Sequence, residues 1–160
     1  MKNLLFAGLL LLVFAAVTGC KKDDSETSSP GISVKFDGAT WTSSINTAAL
    51  STTTDVMIIN ATKLNPVSTL AISIEGSDVG TYTLSEDNAF NMCSFTDGQT
   101  VDDAYFSHYA DIPTGQIVIT DNDKTNHTIS GTFKFDGYTF DGVKKVFSEG
   151  KFTKIAYMVQ

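Results

Sequence analysis

The chain has no arginine, and only two cysteines and three prolines in 160 residues. Without arginine there is no planar fork to grip a phosphate or carboxylate through paired hydrogen bonds. Positive charge is scarce as well: 11 lysines stand against 18 acidic residues, a net charge of −7. Phosphate neutralisation dominates nucleic-acid affinity and needs a basic footprint, so nucleic acid would be repelled. Anionic substrates are not expected unless a bound cation intervenes. No segment keeps a 3.6-residue apolar period, which excludes a helical bundle. The weak exception is Ser85–Met92, where Ser85 is placed to cap one helical turn.

Long apolar runs are absent except for Leu4–Val17, which follows Lys2. As a helix these 14 residues rise about 21 Å, short of a hydrocarbon core of roughly 30 Å. The run is a poor membrane span and a good signal-peptide core. It ends in Val17-Thr18-Gly19-Cys20, which resembles the lipobox that bacterial signal peptidase II cleaves before a diacylglyceryl cysteine. Residues 1–19 are therefore expected to be a lipoprotein signal peptide. Cys20 would then start the mature chain and hold it to a membrane by acyl chains; one chain binds marginally, two or three firmly. Lys21-Lys22-Asp23-Asp24 follows at once. It is similar to the lysine-plus-acids signal that exports some Bacteroidota lipoproteins through the outer membrane to the cell surface. Residues 20–30 read as the lipidated cysteine and a flexible acidic tether. Cleavage removes Lys2, leaving 10 lysines against the same 18 acids, a balance of −8.

Residues 31–160 have the size of one domain with one core. Cys93 is the only thiol there, so no internal disulfide is available, and it reads as a small buried hydrophobe. After residue 19 the chain holds 20 threonines, 11 isoleucines and 9 phenylalanines but only 4 leucines. Such β-branched and aromatic usage suits a pleated, half-buried surface. Period-two alternation places Ile32, Val34 and Phe36 on one face. It recurs at Leu70/Ile72/Ile74, Ile117/Ile119 and Ile129/Gly131/Phe133/Phe135. Asp-Gly pairs at 37–38, 97–98, 136–137 and 141–142 favour tight reversals. These features predict an all-β domain, a single antiparallel β-sandwich of about 8–10 short strands, with an up-and-down barrel as the alternative.

Five stretches resemble a family of small Bacteroidota lipoproteins of unknown function. They are Phe36-Asp37-Gly38-Ala39-Thr40-Trp41, Gly80-Thr81-Tyr82-Thr83-Leu84, Gly115-Gln116-Ile117-Val118-Ile119-Thr120, Ile129-Ser130-Gly131-Thr132-Phe133 and Glu149-Gly150-Lys151-Phe152. All are strand-and-turn motifs, so the resemblance implies fold and location and brings no catalytic residues. Trp41 is expected to anchor the core beside the first turn. Gly131, on the apolar side of its strand, is expected to admit a neighbouring aromatic ring or a bend.

Two candidate sites stand out. In Tyr105-Phe106-Ser107-His108-Tyr109 a strand would put Tyr105, Ser107 and Tyr109 on one face. Turned outward, the tyrosines would form a platform for sugar rings, with Ser107 hydrogen-bonding hydroxyls; turned inward, they would be core. In the loop Asp121-Asn122-Asp123-Lys124-Thr125-Asn126, oxygens of Asp121, Asp123 and Asn126 could hold Ca²⁺, although a polar turn explains the loop as well. Otherwise no metal or cofactor is expected. His108 and His127 are the only histidines, and no Gly-x-Ser-x-Gly, His-Glu-x-x-His or Cys-x-x-Cys spacing organises a catalytic set. Asp102 and Asp103 would point to opposite faces of a strand and form no glycosidase dyad. The expectation is an outer-membrane lipoprotein without catalysis, with a binding or structural β domain for which a glycan is one candidate ligand. The alternative is a protein-interaction subunit of an envelope complex; a small hydrolase ranks last.

Overall fold

The period-two pattern is realised as strands alone in the computed structural model, which describes residues 29–98, 104–108 and 113–160. The expected signal peptide, Cys20 and Lys21–Asp24 lie outside the described residues. The first six strands are β1 (Gly31–Phe36), β2 (Ala39–Thr42), β3 (Ile45–Ser51), β4 (Val56–Leu64), β5 (Val67–Glu75) and β6 (Gly80–Leu84). They are followed by β7 (Met92–Thr96), β8 (Ala104–Phe106), β9 (Gly115–Asp123), β10 (Thr128–Tyr138), β11 (Lys144–Ala156) and β12 (Met158–Val159). The very short β8 and β12 carry the count past the eight to ten expected.

Hydrogen bonding orders the sheet β12-β3-β4-β5-β7-β8-β10-β11-β1-β2, with β9 and β6 as a branch from β10. Along one edge, β10 pairs with β9 from Thr128 to Phe135 and with β8 at Tyr138. All these pairings are antiparallel except that of β12 with β3. The sheet is open rather than closed into a barrel, and it folds over itself like a sandwich. The closure is visible at Trp41, on the terminal strand β2, whose indole N–H donates to Ser68 Oγ of the central β5 at 2.8 Å. Ile32, Val34, Leu70, Ile72, Ile74, Ile117, Ile119, Ile129, Phe133 and Phe135 all turn into one core, as their alternation requires.

The turns follow backbone chemistry only in part. Asp37 and Gly38 both take positive φ (51° and 76°), the primed geometry that suits a two-residue hairpin. Asp141-Gly142 closes the β10–β11 hairpin, with Gly142 N–H donating to Thr139 O at 2.9 Å. Asp97-Gly98 bends just beyond β7. Asp136-Gly137, however, lies inside β10 and makes no reversal. Gly137 is there for space, since a Cβ would come within 2.9 Å of both Phe147 and Tyr105. Within Ser85–Met92, residues 85–91 form two successive turns rather than a helical one and Met92 opens β7, with Asn88 Oδ1 accepting from Phe90 N–H at 3.2 Å.

The same economy of space shapes the β10–β11 ladder. Gly131 faces Phe152, and Phe133 faces Gly150. A Cβ on Gly131 would lie 2.2 Å from Val118 O and 2.4 Å from Phe152 Cζ. Gly131→Ala should cost about 1–3 kcal/mol or more through overpacking. Ser68→Ala, which strands the buried Trp41 N–H, should cost about 1–3 kcal/mol. Urea denaturation checks both; a loss below about 0.5 kcal/mol for Gly131→Ala would contradict the packing described.

Candidate functional site

Strand parity decides what β8 shows to solvent. Its register pairs Phe95 with Tyr105 and Ser94 with Phe106. Phe95 is wholly buried and Ser94 is not, so Tyr105 turns inward and Phe106 outward. This corrects the expected platform. Tyr105 packs edge-on against Phe147, ring centroids 6.2 Å apart. Lys145 Nζ sits 4.7 Å from the centre of its ring. Ser107 is 0 % exposed, so its hydroxyl meets no surface ligand. Instead Ser107 Oγ accepts from Cys93 N–H at 2.9 Å, and Ser107 N–H donates to Cys93 O at 2.9 Å. Tyr109 lies outside the described residues.

The outward face of the same segment builds a different site. Phe106 and Tyr138 are cross-strand partners, and Phe140, in the β10–β11 hairpin, tilts against Phe106 with centroids 5.3 Å apart at 43°. With Met92, His108 and Thr139 they line an open groove of about 330 Å³. Phe140 is 73 % exposed, a large apolar surface for a soluble face to leave in water. Polar groups converge at its rim. His108 Nε2–H donates to Asn91 O at 3.1 Å, so Nδ1 is left as an acceptor while the ring is neutral. Lys144 Nζ lies 5.9 Å from the Tyr138 ring centre and 2.8 Å from Asp136 Oδ2. Sequence reasoning placed Phe106 and His108 on the face opposite the tyrosines and passed over it. Tyr138 and Phe140 carried no local signal and join the site only through pairing.

The acidic segment is the end of β9 followed by a turn that Asp123 holds. Asp123 Oδ1 accepts from Thr125 and Asn126 N–H at 3.0 and 2.9 Å, and Oδ2 accepts from Asn126 Nδ2 at 2.6 Å. Lys124 turns to Asp78, 2.8 Å away, and Asp121 is exposed on β9. Among the described residues no three His, Cys, Asp or Glu side chains gather as a metal site. Cys93 is fully buried, and desolvation pushes its thiol far above its ordinary range, the opposite of an activated nucleophile. His127 packs edge-on against Tyr157, centroids 5.3 Å apart. A second groove, lined by Gln116, Val118, Thr132, Lys134, Glu149 and Lys151, crosses β9, β10 and β11 on their outer side.

The class so defined is an all-β, sandwich-like domain with an exposed aromatic groove at the end of its longest hairpin. The chain belongs to the DUF6252 family, a domain of unknown function, which it matches over residues 28–156. No curated protein and no solved structure matches it.

The Asn126 side-chain amide, aided by backbone N–H groups, holds the Asp123 carboxyl below its ordinary 3.8. Folding therefore favours the ionised form. Its stabilisation is complete above pH 3.8 and is lost as pH falls through the lower folded-state value. Asp123→Ala should lower the melting temperature at pH 7, and the gap to the wild type should narrow below pH 3.8 in thermal melts. A gap that stays constant down to pH 2 would count against this role.

Proposed function

We propose that the chain is a lipid-anchored envelope protein, held by acyl chains on Cys20, whose β domain binds a saccharide without transforming it. The lipobox-like Val17–Cys20 and the Lys21–Asp24 run support anchoring in the outer membrane with the domain toward the cell surface. The observation that carries the binding reading is the outward Phe106–Phe140 pair beside Tyr138. Aromatic faces carry negative charge at their centre and attract the weakly positive C–H edges of a pyranose ring. His108 Nδ1 and the Thr139 hydroxyl at the groove can meet the ring's hydroxyls.

A protein partner is the second reading. Met92 in the groove, with Val143 and Val146 exposed nearby at 57 % and 53 %, favours it, since methionine and aromatics are enriched at the core of interfaces. The first experiment is affinity electrophoresis of the full chain in gels that contain polysaccharide. Phe140→Ala and Phe106→Ala should each weaken retention about tenfold, equal to about 1.4 kcal/mol. The exposed Phe140 should do so with an unchanged melting temperature. Retention unaffected by either change would reject the groove as the saccharide site. Mass spectrometry of the membrane fraction should find Cys20 acylated at the new N-terminus, and Cys20→Ser should abolish that species. An unmodified, uncleaved N-terminus would reject the anchor.

A further inference from the structure

The outer side of the sheet beyond the groove has a property that composition conceals. The outward residue is never charged along Ile45–Ser51 of β3, Ile58–Leu64 of β4, Val67–Ser73 of β5 and Met92–Thr96 of β7. The nearest charges on these strands mark its limits. Glu75 ends β5, Asp97 follows β7, and Lys63 pairs with the buried Ser68 and so belongs to the opposite side. In contrast, the outer side of β10 and β11 carries Lys134, Lys144, Lys151, Asp136 and Glu149.

The uncharged face is continuous with the groove. Thr47 pairs with Asn60, Asn60 with Ala71, Ala71 with Ser94, and Ser94 with Phe106, which pairs in turn with Tyr138. One row of side chains thus crosses six strands from β3 to β10, about 24 Å at the spacing of neighbouring strands. It starts on hydroxyl and amide groups, each both donor and acceptor, and finishes on aromatic rings. Asn60 and Thr47 are exposed, and Ala71 and Ser94 are half-buried.

We propose that this row is the track for an extended neutral polysaccharide, with the aromatic groove as its strongest subsite. The inference rests on the saccharide reading of the groove and names its ligand class. A charged polymer would find no counter-charge along β3, β4, β5 and β7, and the cation at the far end, Lys144 beside Tyr138, is already paired with Asp136, whereas hydroxyls exchange water for threonine, serine and asparagine at little desolvation cost. The four-strand face covers roughly 400 Å². A stable protein interface needs about 800 Å² per partner, about twice what these four strands alone supply. A chain one sugar wide needs only the row.

The test is affinity electrophoresis of the full chain against laminarin, dextran, xylan and mannan, with dextran sulfate and polygalacturonate as anionic counterparts. It is followed by titration with oligosaccharides of two to eight units of whichever neutral polymer is retained. The track predicts retention by a neutral polymer and affinity that climbs at least tenfold from the shortest to the longest oligosaccharide. Ala71→Glu, on the solvent side and checked by its melting temperature, should bring the long ligand down to the affinity of the short one. Binding of the short ligand should not change. Equal affinity for all lengths, or a long-ligand affinity untouched by Ala71→Glu, would overturn the track. If Phe140→Ala still weakened binding in that case, the groove reading would survive alone. Retention by the anionic polymers only, or by none, would overturn both.

Discussion

Phe152 rests on Gly131, and Phe133 on Gly150, because neither glycine has a Cβ to keep the ring away. The rest of the molecule depends on this reciprocal contact between β10 and β11. Each ring fills the space that a Cβ would take and packs directly on the glycine's backbone, so the ladder is dense. Farther along the same ladder Phe135 and Phe147 stack at 4.3 Å, nearly parallel at 8°. Phe147 then touches Phe36 and Phe95, and Phe95 meets Trp41 edge-on at 5.8 Å. The aromatic chain runs from the longest hairpin through the middle of the sheet to its terminal strand. It is the reason an open sheet can fold back on itself and hold.

A core so crowded on the inside leaves the outside free to differ from place to place. Where the inner face reaches the rim, Lys145 lies over Phe36 and Tyr105, at 5.1 and 4.7 Å, and pairs with Asp37 at 3.1 Å. A cation on aromatic faces gains about 0.5–2 kcal/mol while its long stem covers apolar surface, so this lysine works as a lid on the core. The β10–β11 outer side carries charge of both signs and supports solubility. The β3–β4–β5–β7 outer side carries none short of Glu75 at the end of β5, and that asymmetry gives the domain a face with cheap desolvation beside its aromatic groove.

Much of the fold was legible because it is written in alternation. Ile32/Val34, Leu70/Ile72/Ile74 and Ile117/Ile119 could occupy only one side of a sheet without exposing several large side chains. Gly131 was legible for the same reason: a glycine in the apolar register of a strand is wasted unless a ring needs the space. Asp136-Gly137 misled because Asp-Gly reports local backbone freedom, while the constraint on Gly137 comes from Phe147 across the ladder. The loop at Asp121–Asn126 was ambiguous between cation and turn because both use carboxylate oxygens, and the backbone N–H groups that engage Asp123 emerge only with the turn's geometry. The site was the least legible part. In Ala104-Tyr105-Phe106-Ser107-His108 an aromatic stands on each side, so hydrophobicity cannot tell which faces the core. Cross-strand register settles it, and register is set by residues far away in sequence.

The residue that settles it here is Ser107. Its hydroxyl accepts the Cys93 N–H, its own N–H reaches the Cys93 carbonyl, and its carbonyl accepts the Thr114 hydroxyl. A buried hydroxyl with these partners cannot be exchanged for the next residue along, because a one-residue slip would bring His108 into a fully closed space and send Tyr105 outward. A three-residue strand has too little ladder of its own to resist such a slip. Ser107 supplies the missing specificity from inside the core, and in doing so it holds Phe106 toward solvent. The serine that seemed suited to meet a sugar hydroxyl therefore acts one step back: it fixes the parity on which the exposed aromatic groove depends.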